Sequence, residues 1–446
     1  MASFRLPRAG VGMFLAGLVL VLGVASSAPG QATSRAIFVA NNGNLEGSVT
    51  AFVVYPDGTL GFLNKAVTGT RPNMNVPCPG CNPYEISIAP SGRYIITGHA
   101  STNDPNEQVS FFEVAPSGII TEIAYFSIPG TPMDVAWITN ELVAVTRVDS
   151  NQVVVYRFLP GPPPTLAQVD VKPVGTFSTY LAVHPSRQIL YVNDSGSARQ
   201  IWVFRINSNG TLTLLQQQPT GSNYALELGV THDGDRLYAV GGITHVILGF
   251  SIAADGTLSP LPGSPFPEFG SSPSNVAVST DDHYLLVGHG TDATLRSASI
   301  DPNTGGLTYT GFMFDVGAQS TFGDVQTLDD LLFVTDNSTL DGGLMGVYSF
   351  KLNADGSFTQ NAPIYDTQGI GPRSIAVWRP LLYPGDLNCD ASVNFDDINP
   401  FVLALSDPPA YFAEFPNCNI ANGDINADGA INFDDIDPFV DLLIGP

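Results

Sequence analysis

Two sets of residues in this chain have the types and spacing to do chemistry. The first is a doubled, oxygen-rich stretch near the C-terminus: Gly385-Asp-Leu-Asn-Cys-Asp-Ala-Ser-Val-Asn-Phe-Asp-Asp and Gly423-Asp-Ile-Asn-Ala-Asp-Gly-Ala-Ile-Asn-Phe-Asp-Asp. The copies start 38 residues apart, at Asp386 and Asp424. Each places carboxylates or amides at positions 1, 3, 5, 9 and 12 of a loop, the alternation by which a 12-residue turn wraps a hard cation in oxygen. The first set is Asp386, Asn388, Asp390, Asn394 and Asp397, with the Ser392 carbonyl at position 7. The second is Asp424, Asn426, Asp428, Asn432 and Asp435, with the Ala430 carbonyl. Two Ca2+ sites are expected. Ala391 stands at the sharp turn where the second copy has Gly429, and a side chain at positive φ costs on the order of 1 kcal/mol, so the second loop is expected to bind more tightly.

The second set lies upstream. One polar residue recurs near the start of each of seven apolar strands: Glu85, Asp134, Tyr180, Glu227, Asn275, Asp324 and Ser374. In a ring of such strands these positions converge on one mouth of a central channel. Crowded carboxylates there raise one another's pKa and are suited to holding a cation or a polyhydroxylated ligand such as a carbohydrate. Glu85, Asp134, Glu227 and Asp324, with Arg373 beside Ser374, form the expected ligand pocket. The competing reading is of polar strand-start residues that simply meet water. His184, His232 and His283 fall in turns at a rim, and no Gly-x-Ser-x-Gly, His-Glu-x-x-His or phosphate loop occurs, so no catalytic residue is singled out.

The elements that must position these residues repeat. Asp57-Gly-Thr-Leu60, Ser117-Gly-Ile-Ile120, Asn209-Gly-Thr-Leu212, Asp255-Gly-Thr-Leu258, Gly305-Gly-Leu-Thr308 and Asp355-Gly-Ser-Phe358 are hairpin turns, with a degenerate copy at Pro164-Thr-Leu166. Gly118, Pro164, Gly210 and Gly256 follow one another at steps of 46 residues, a period of propeller blades. Between the turns run alternating strands such as Ile86-Ser-Ile and Tyr94-Ile-Ile-Thr97. The count is seven units of four strands over 33–380. The first unit, beginning at Ile37, lacks its leading strand, which is expected to come from Pro372-Arg-Ser-Ile-Ala-Val-Trp378 and to close the ring.

Composition agrees with a turn-rich β protein. Of 446 residues only 13% are charged, with 45 Gly and 35 Pro. The net charge of −24 disfavours nucleic acid, whose phosphates need clustered Lys and Arg. Residues 385–446 carry twelve Asp or Glu and no Lys or Arg. Arg5 and Arg8, the apolar run 11–24 and the small residues up to Ala32 read as an export signal over 1–32, with no stable membrane span after cleavage and a secreted or cell-surface product. The four cysteines suit an oxidising compartment: Cys78 and Cys81 are expected to staple a Pro-Gly loop, and Cys389 to pair with Cys418.

The Pro-x-x-Ile/Val-x-Ile/Val-x-Pro pattern with its Asp-Gly-Thr-Leu turns resembles the seven-bladed lactonase-like and YVTN-type propellers. The resemblance implies the fold and leaves activity open, because propellers host many functions. Lactonase and cycloisomerase relatives use His, Arg and Glu at the channel mouth, where this chain offers Glu227 and Arg373. After the linker 381–384, residues 385–446 resemble a type I dockerin, a small α-helical domain with paired EF-hand-type calcium loops that docks to cohesin. The resemblance implies a helix after each loop, with Pro400 and Pro438 in its first turn and Phe401, Val402, Leu405, Phe439, Val440 and Leu443 on its apolar face. The basic and hydroxyl recognition residues of dockerins are replaced here by Phe395-Asp396 and Phe433-Asp434. The first expectation for function is therefore a secreted binding or scaffold propeller, attached to a cohesin-like or cell-surface partner by a calcium-dependent tail. The alternative is a lactonase-like or carbohydrate-active enzyme localised by the same tail.

Overall fold

The computed structural model describes residues 35–444 except 71–77, 101–107, 116, 222, 242–243, 317–321, 338–344, 379–383, 389–392, 416–417, 419 and 427–430. The export signal, most of the linker, and Cys389, Asp390, Ala391, Ser392, Asp428, Gly429 and Ala430 lie outside the described residues.

Seven antiparallel sheets follow one another around a ring, six of four strands and one of five. Their innermost strands are Pro372–Trp378, Pro83–Ile88, Pro132–Trp137, Leu181–Val183, Leu228–Val230, Pro273–Val278 and Phe322–Leu328, from blade 1 to blade 7. The fifth strand in blade 5 is a short addition, Phe266–Pro267, paired with Val246–Ile252. Blade 1 takes its innermost strand from the far end of the propeller sequence. Pro372–Trp378 pairs antiparallel with Ala36–Asn41, in the register Phe38↔Ala376 and Ala40↔Ser374. The closure removes the edges an open array would expose.

Local chemistry sets the hairpins. Asp57 Oδ1 accepts from the Thr59 amide at 3.0 Å and its hydroxyl at 2.6 Å, and Asp255 does the same with Thr257. These side-chain turns need the following residue at positive φ, and Gly58 (+81°) and Gly256 (+91°) supply it. The degenerate copy keeps its place: Thr165–Pro173 is the outer strand of blade 3.

The core lies between blades. Phe111 of blade 2 stacks on Phe158 of blade 3 with centroids 3.9 Å apart, and Trp137 meets both edge-on. Buried tyrosines in the second strands of blades 4 and 5 then tie each of these blades to the turn of the next. Tyr191 donates to the Gly256 carbonyl at 3.1 Å and Tyr238 to the Gly305 carbonyl at 2.8 Å, so each ring is buried with its hydroxyl satisfied.

The C-terminal segment is helical. In each copy a 3₁₀ turn (Phe395–Asp397, Phe433–Asp435) leads into a helix, Ile398–Ser406 or Ile436–Ile444, with Pro408–Glu414 between. Phe401 and Phe439 meet at 4.3 Å in a small core with Leu387, Tyr411 and Ile420. Val402 and Val440, expected on the packed face, are exposed. The helix pair is narrow enough to bury one stripe each, and Phe401, Ala404 and Phe439 fill it. Cys78 and Cys81 form a disulfide. Cys418 is also disulfide-bonded; its expected partner Cys389 is outside the described residues. Among the described residues no helix is long and apolar enough to cross a membrane.

Candidate active site

An irregularity in the innermost strands builds the channel mouth. In blade 2, Pro83 pairs with His99 and Glu85 with Gly98, leaving Tyr84 as an extra residue. Blade 1 repeats the shift at Arg373, between Pro372↔Asn41 and Ser374↔Ala40. Blades 3, 6 and 7 shift register at the same place. A β-bulge of this kind re-aims side chains and commonly sits beside functional sites. In blade 4, where the strand starts later, the Asn193 side chain accepts from the Thr179 and Tyr180 amides and takes over the ladder's role.

The bulges of blades 1 and 2 bring Arg373 together with Tyr84 and Glu85, and Arg373 reaches Tyr180 of blade 4. The Arg373 guanidinium lies 3.6 Å from the centre of the Tyr84 ring and donates through Nη2 to the Tyr180 hydroxyl at 3.4 Å. Its Nε is buried without a hydrogen-bond acceptor and stands 3.9 Å from Glu85 Oε1. Two blades on, Asn275 Nδ2 donates to Glu227 Oε2 at 2.9 Å and to the Gly323 carbonyl, which fixes the rotamer of that carboxylate.

Burial pushes the Glu85 carboxyl well above the ordinary range; Arg373 opposes this, and the charges of Asp134 and Asp324 add to it. Burial likewise raises Glu227 strongly, with Asp324 and Glu85 adding repulsion and Asn275 opposing it. Four acidic groups thus share one poorly hydrated mouth, and their protons belong to the set rather than to single residues.

Asp134 and Asp324 have a second role that strand-start position did not reveal. Asp134 accepts from the Val135 amide at 2.6 Å and, across the blade boundary, from the Leu181 amide at 2.7 Å. Asp324 accepts from Val325 at 2.6 Å and from Ile375 of blade 1 at 2.8 Å. Both are staples between blades, raised by burial to about 7 and about 6 respectively, with the backbone donors opposing the rise. Among the described residues, Glu85, Glu227 and Arg373 make no such backbone staple across a blade boundary, and Tyr84 and Tyr180 adjoin Arg373. Tyr84 was missed as a pocket residue because strict alternation would turn it away from Glu85. The signal for it is the residue after Pro in Pro83-Tyr-Glu85, Pro132-Met-Asp134, Pro273-Ser-Asn275 and Pro372-Arg-Ser374, which is the bulge position.

The three turn histidines stand apart. His184, His232 and His283 lie in the turns between first and second strands, at the opposite end from the bulges, where His232 pairs with Asp282 and His283 with Asp281. His99 and His289 end second strands, buried and held neutral by desolvation, each pushed down to about 4.

In the tail, each position-12 carboxylate is buried and cross-links its own loop. Asp397 Oδ1 accepts from the Leu387 and Asn388 amides at 2.8 and 3.0 Å, and Asp435 Oδ1 from Ile425 and Asn426 at 2.8 and 3.1 Å. Among the described residues no three His, Cys, Asp or Glu side chains come together as a metal group. Asp390 and Asp428 are outside that set.

Residues 211–322 match the sequence model of the family described as "Lactonase, 7-bladed beta-propeller". The chain folds as a lactonase-like seven-bladed propeller. A 6-phosphogluconolactonase of Yersinia pestis is 23% identical over 272 residues, covering 58% of this chain and 76% of that protein. One from Klebsiella pneumoniae is 30% identical over 96 residues, 20% of this chain and 29% of the relative. Among solved structures, the periplasmic gluconolactonase of Pseudomonas aeruginosa superposes with a TM-score of 0.60 at 17% identity, over 78% of this chain and all of that one. The lactonase-like propeller and these relatives favour the enzyme alternative over the scaffold reading.

Proposed function

We propose that the propeller hydrolyses a cyclic ester at the mouth lined by Tyr84, Glu85, Tyr180, Glu227 and Arg373. The observation that carries this reading is Arg373 held between two tyrosines and beside Glu85, a carboxylate of raised pKa, in a propeller similar to lactonases. The Arg373 guanidinium and the Tyr180 hydroxyl receive the lactone carbonyl oxygen and stabilise the negative charge that develops on it. Glu227, fixed by Asn275 through one oxygen, uses the other to take a proton from the attacking water. The water oxygen bonds to the carbonyl carbon and the ring C–O bond breaks. The leaving ring oxygen takes the proton back from Glu227, so one water is consumed and one hydroxy acid released. Tyr84 holds the guanidinium in plane by stacking.

For residues 385–446 the reading is a calcium-stabilised, dockerin-like attachment module on an exported chain. Buried carboxylates need a compensating cation, and this segment holds buried Asp386, Asp397 and Asp435 with no Lys or Arg. When bound, calcium would be held by the two oxygen sets and would neutralise them. The exposed Phe395 (70%) and Phe433 (81%) flank the helices in equivalent places and offer an apolar face to a cohesin-like or cell-surface partner.

The deciding experiment assays the full chain, beside Glu227→Gln and Arg373→Lys, on a panel of sugar lactones. Turnover lost in both variants supports the hydrolase. Ligand binding without turnover by the native chain would return the propeller to the binding or scaffold reading.

A further inference from the structure

We infer that the mouth selects an uncharged sugar lactone and rejects the phosphorylated one; the inference rests on the lactone-hydrolase reading above. A phosphate ester carries close to two negative charges at neutral pH and is bound by Arg, Lys or amide clusters. This mouth has the opposite composition. Among the described residues Arg373 is its cation, and that charge already faces Glu85 and the ring of Tyr84.

Other described cations at the same end of the propeller are committed elsewhere. Arg147 donates to the Pro129 carbonyl at 2.8 Å, Arg199 to the Tyr224 hydroxyl at 2.6 Å, Arg296 to Asp292 at 3.0 Å and Lys65 to Glu46 at 2.6 Å. Among the described residues, a second anion entering beside Glu85 and Glu227 meets carboxylates, and the Arg373 charge already faces one of them. A polyhydroxylated neutral ring meets acceptors instead: carboxylates take hydrogen bonds from sugar hydroxyls, and Tyr84 and Tyr180 offer flat faces to its C–H groups.

One extra like charge at about 8 Å, in surroundings of effective dielectric about 20, weakens binding on the order of 30-fold. The test compares D-glucono-δ-lactone with its 6-phosphate as substrates of the full chain, and D-gluconolactam with its 6-phosphate in titration calorimetry. We expect the neutral member to lead by roughly 30-fold or more in both, and the phosphorylated pair to gain with added salt while the neutral pair does not. Equal or better use of the phosphorylated lactone overturns the inference and leaves the hydrolase reading standing. Selective binding of the neutral lactam with no turnover of either lactone removes the hydrolase and upholds the selection by charge. Binding of neither lactam with turnover of neither lactone overturns both.

Discussion

Arg373, from the strand that closes the ring, lies 3.6 Å over Tyr84, from the first strand of the adjacent blade. The contact joins the closing strand of blade 1 to blade 2 where, among the described residues, a cation faces the Glu85 carboxylate. Replacing Arg373 with Lys keeps the charge but removes the flat, forked group that stacks on Tyr84 while donating to Tyr180. We expect kcat/KM to fall about 100-fold or more, with an unchanged circular dichroism spectrum. Retention of full activity would remove Arg373 from the mechanism.

Glu227→Gln keeps a hydrogen-bonding oxygen and removes the base. The expected loss in kcat is about 100- to 10,000-fold. The same change relieves a buried, mutually repelling charge, so the variant should melt on the order of 2 °C higher than the parent at pH 8. A gain in stability with a loss of turnover separates a functional carboxylate from a structural one.

The pH dependences of rate and stability should run in opposite directions. The base works when deprotonated, so the rate falls as pH drops through the raised pKa of the carboxylate set, at higher pH than an ordinary glutamate would give. For stability, raised folded-state values mean that the native protein holds more protons than the unfolded chain above pH 3.8, up to about 7 for Asp134. Stability contributed by these groups is therefore largest at the acid side and declines as pH rises across that window. Urea melts of the full chain at saturating calcium, at pH 5 and pH 8, check the sign.

Asp134→Ala should act through stability. It leaves the Leu181 and Val135 amides without their acceptor at a blade boundary, each costing about 1–3 kcal/mol. A change below ~0.5 kcal/mol in urea melts would show that the staple is dispensable.

Calcium titration of the full chain should resolve two sites, with the Asp424–Asp435 loop tighter by roughly 5-fold for the ~1 kcal/mol cost of Ala391. Asp435→Asn should then remove the tighter class and Asp397→Asn the weaker one. A single class of equal affinities contradicts the reading.

What the sequence determined by itself was whatever depends on neighbours in the chain. Turn chemistry at Asp57-Gly58-Thr59 and Asp255-Gly256-Thr257 acts over three residues, and alternation of apolar side chains sets which face of a strand is buried. Repeating those signals seven times was enough to count the blades and to place the closing strand at Pro372–Trp378. The doubled tail was legible for the same reason, and both copies adopt the same 3₁₀ turn and helix. Tertiary structure decided what depends on register. One extra residue at the start of an innermost strand brings Tyr84 beside Glu85 and turns Arg373 toward them, and the recurring Pro before it marks the bulge only once the register is known. It also divided the carboxylates: Asp134 and Asp324 bind amides of the next blade, whereas Glu85 and Glu227 meet a guanidinium and an amide side chain. Four acids that look equivalent in the repeat differ because the blade adjacent to each one presents either a backbone donor or a side chain.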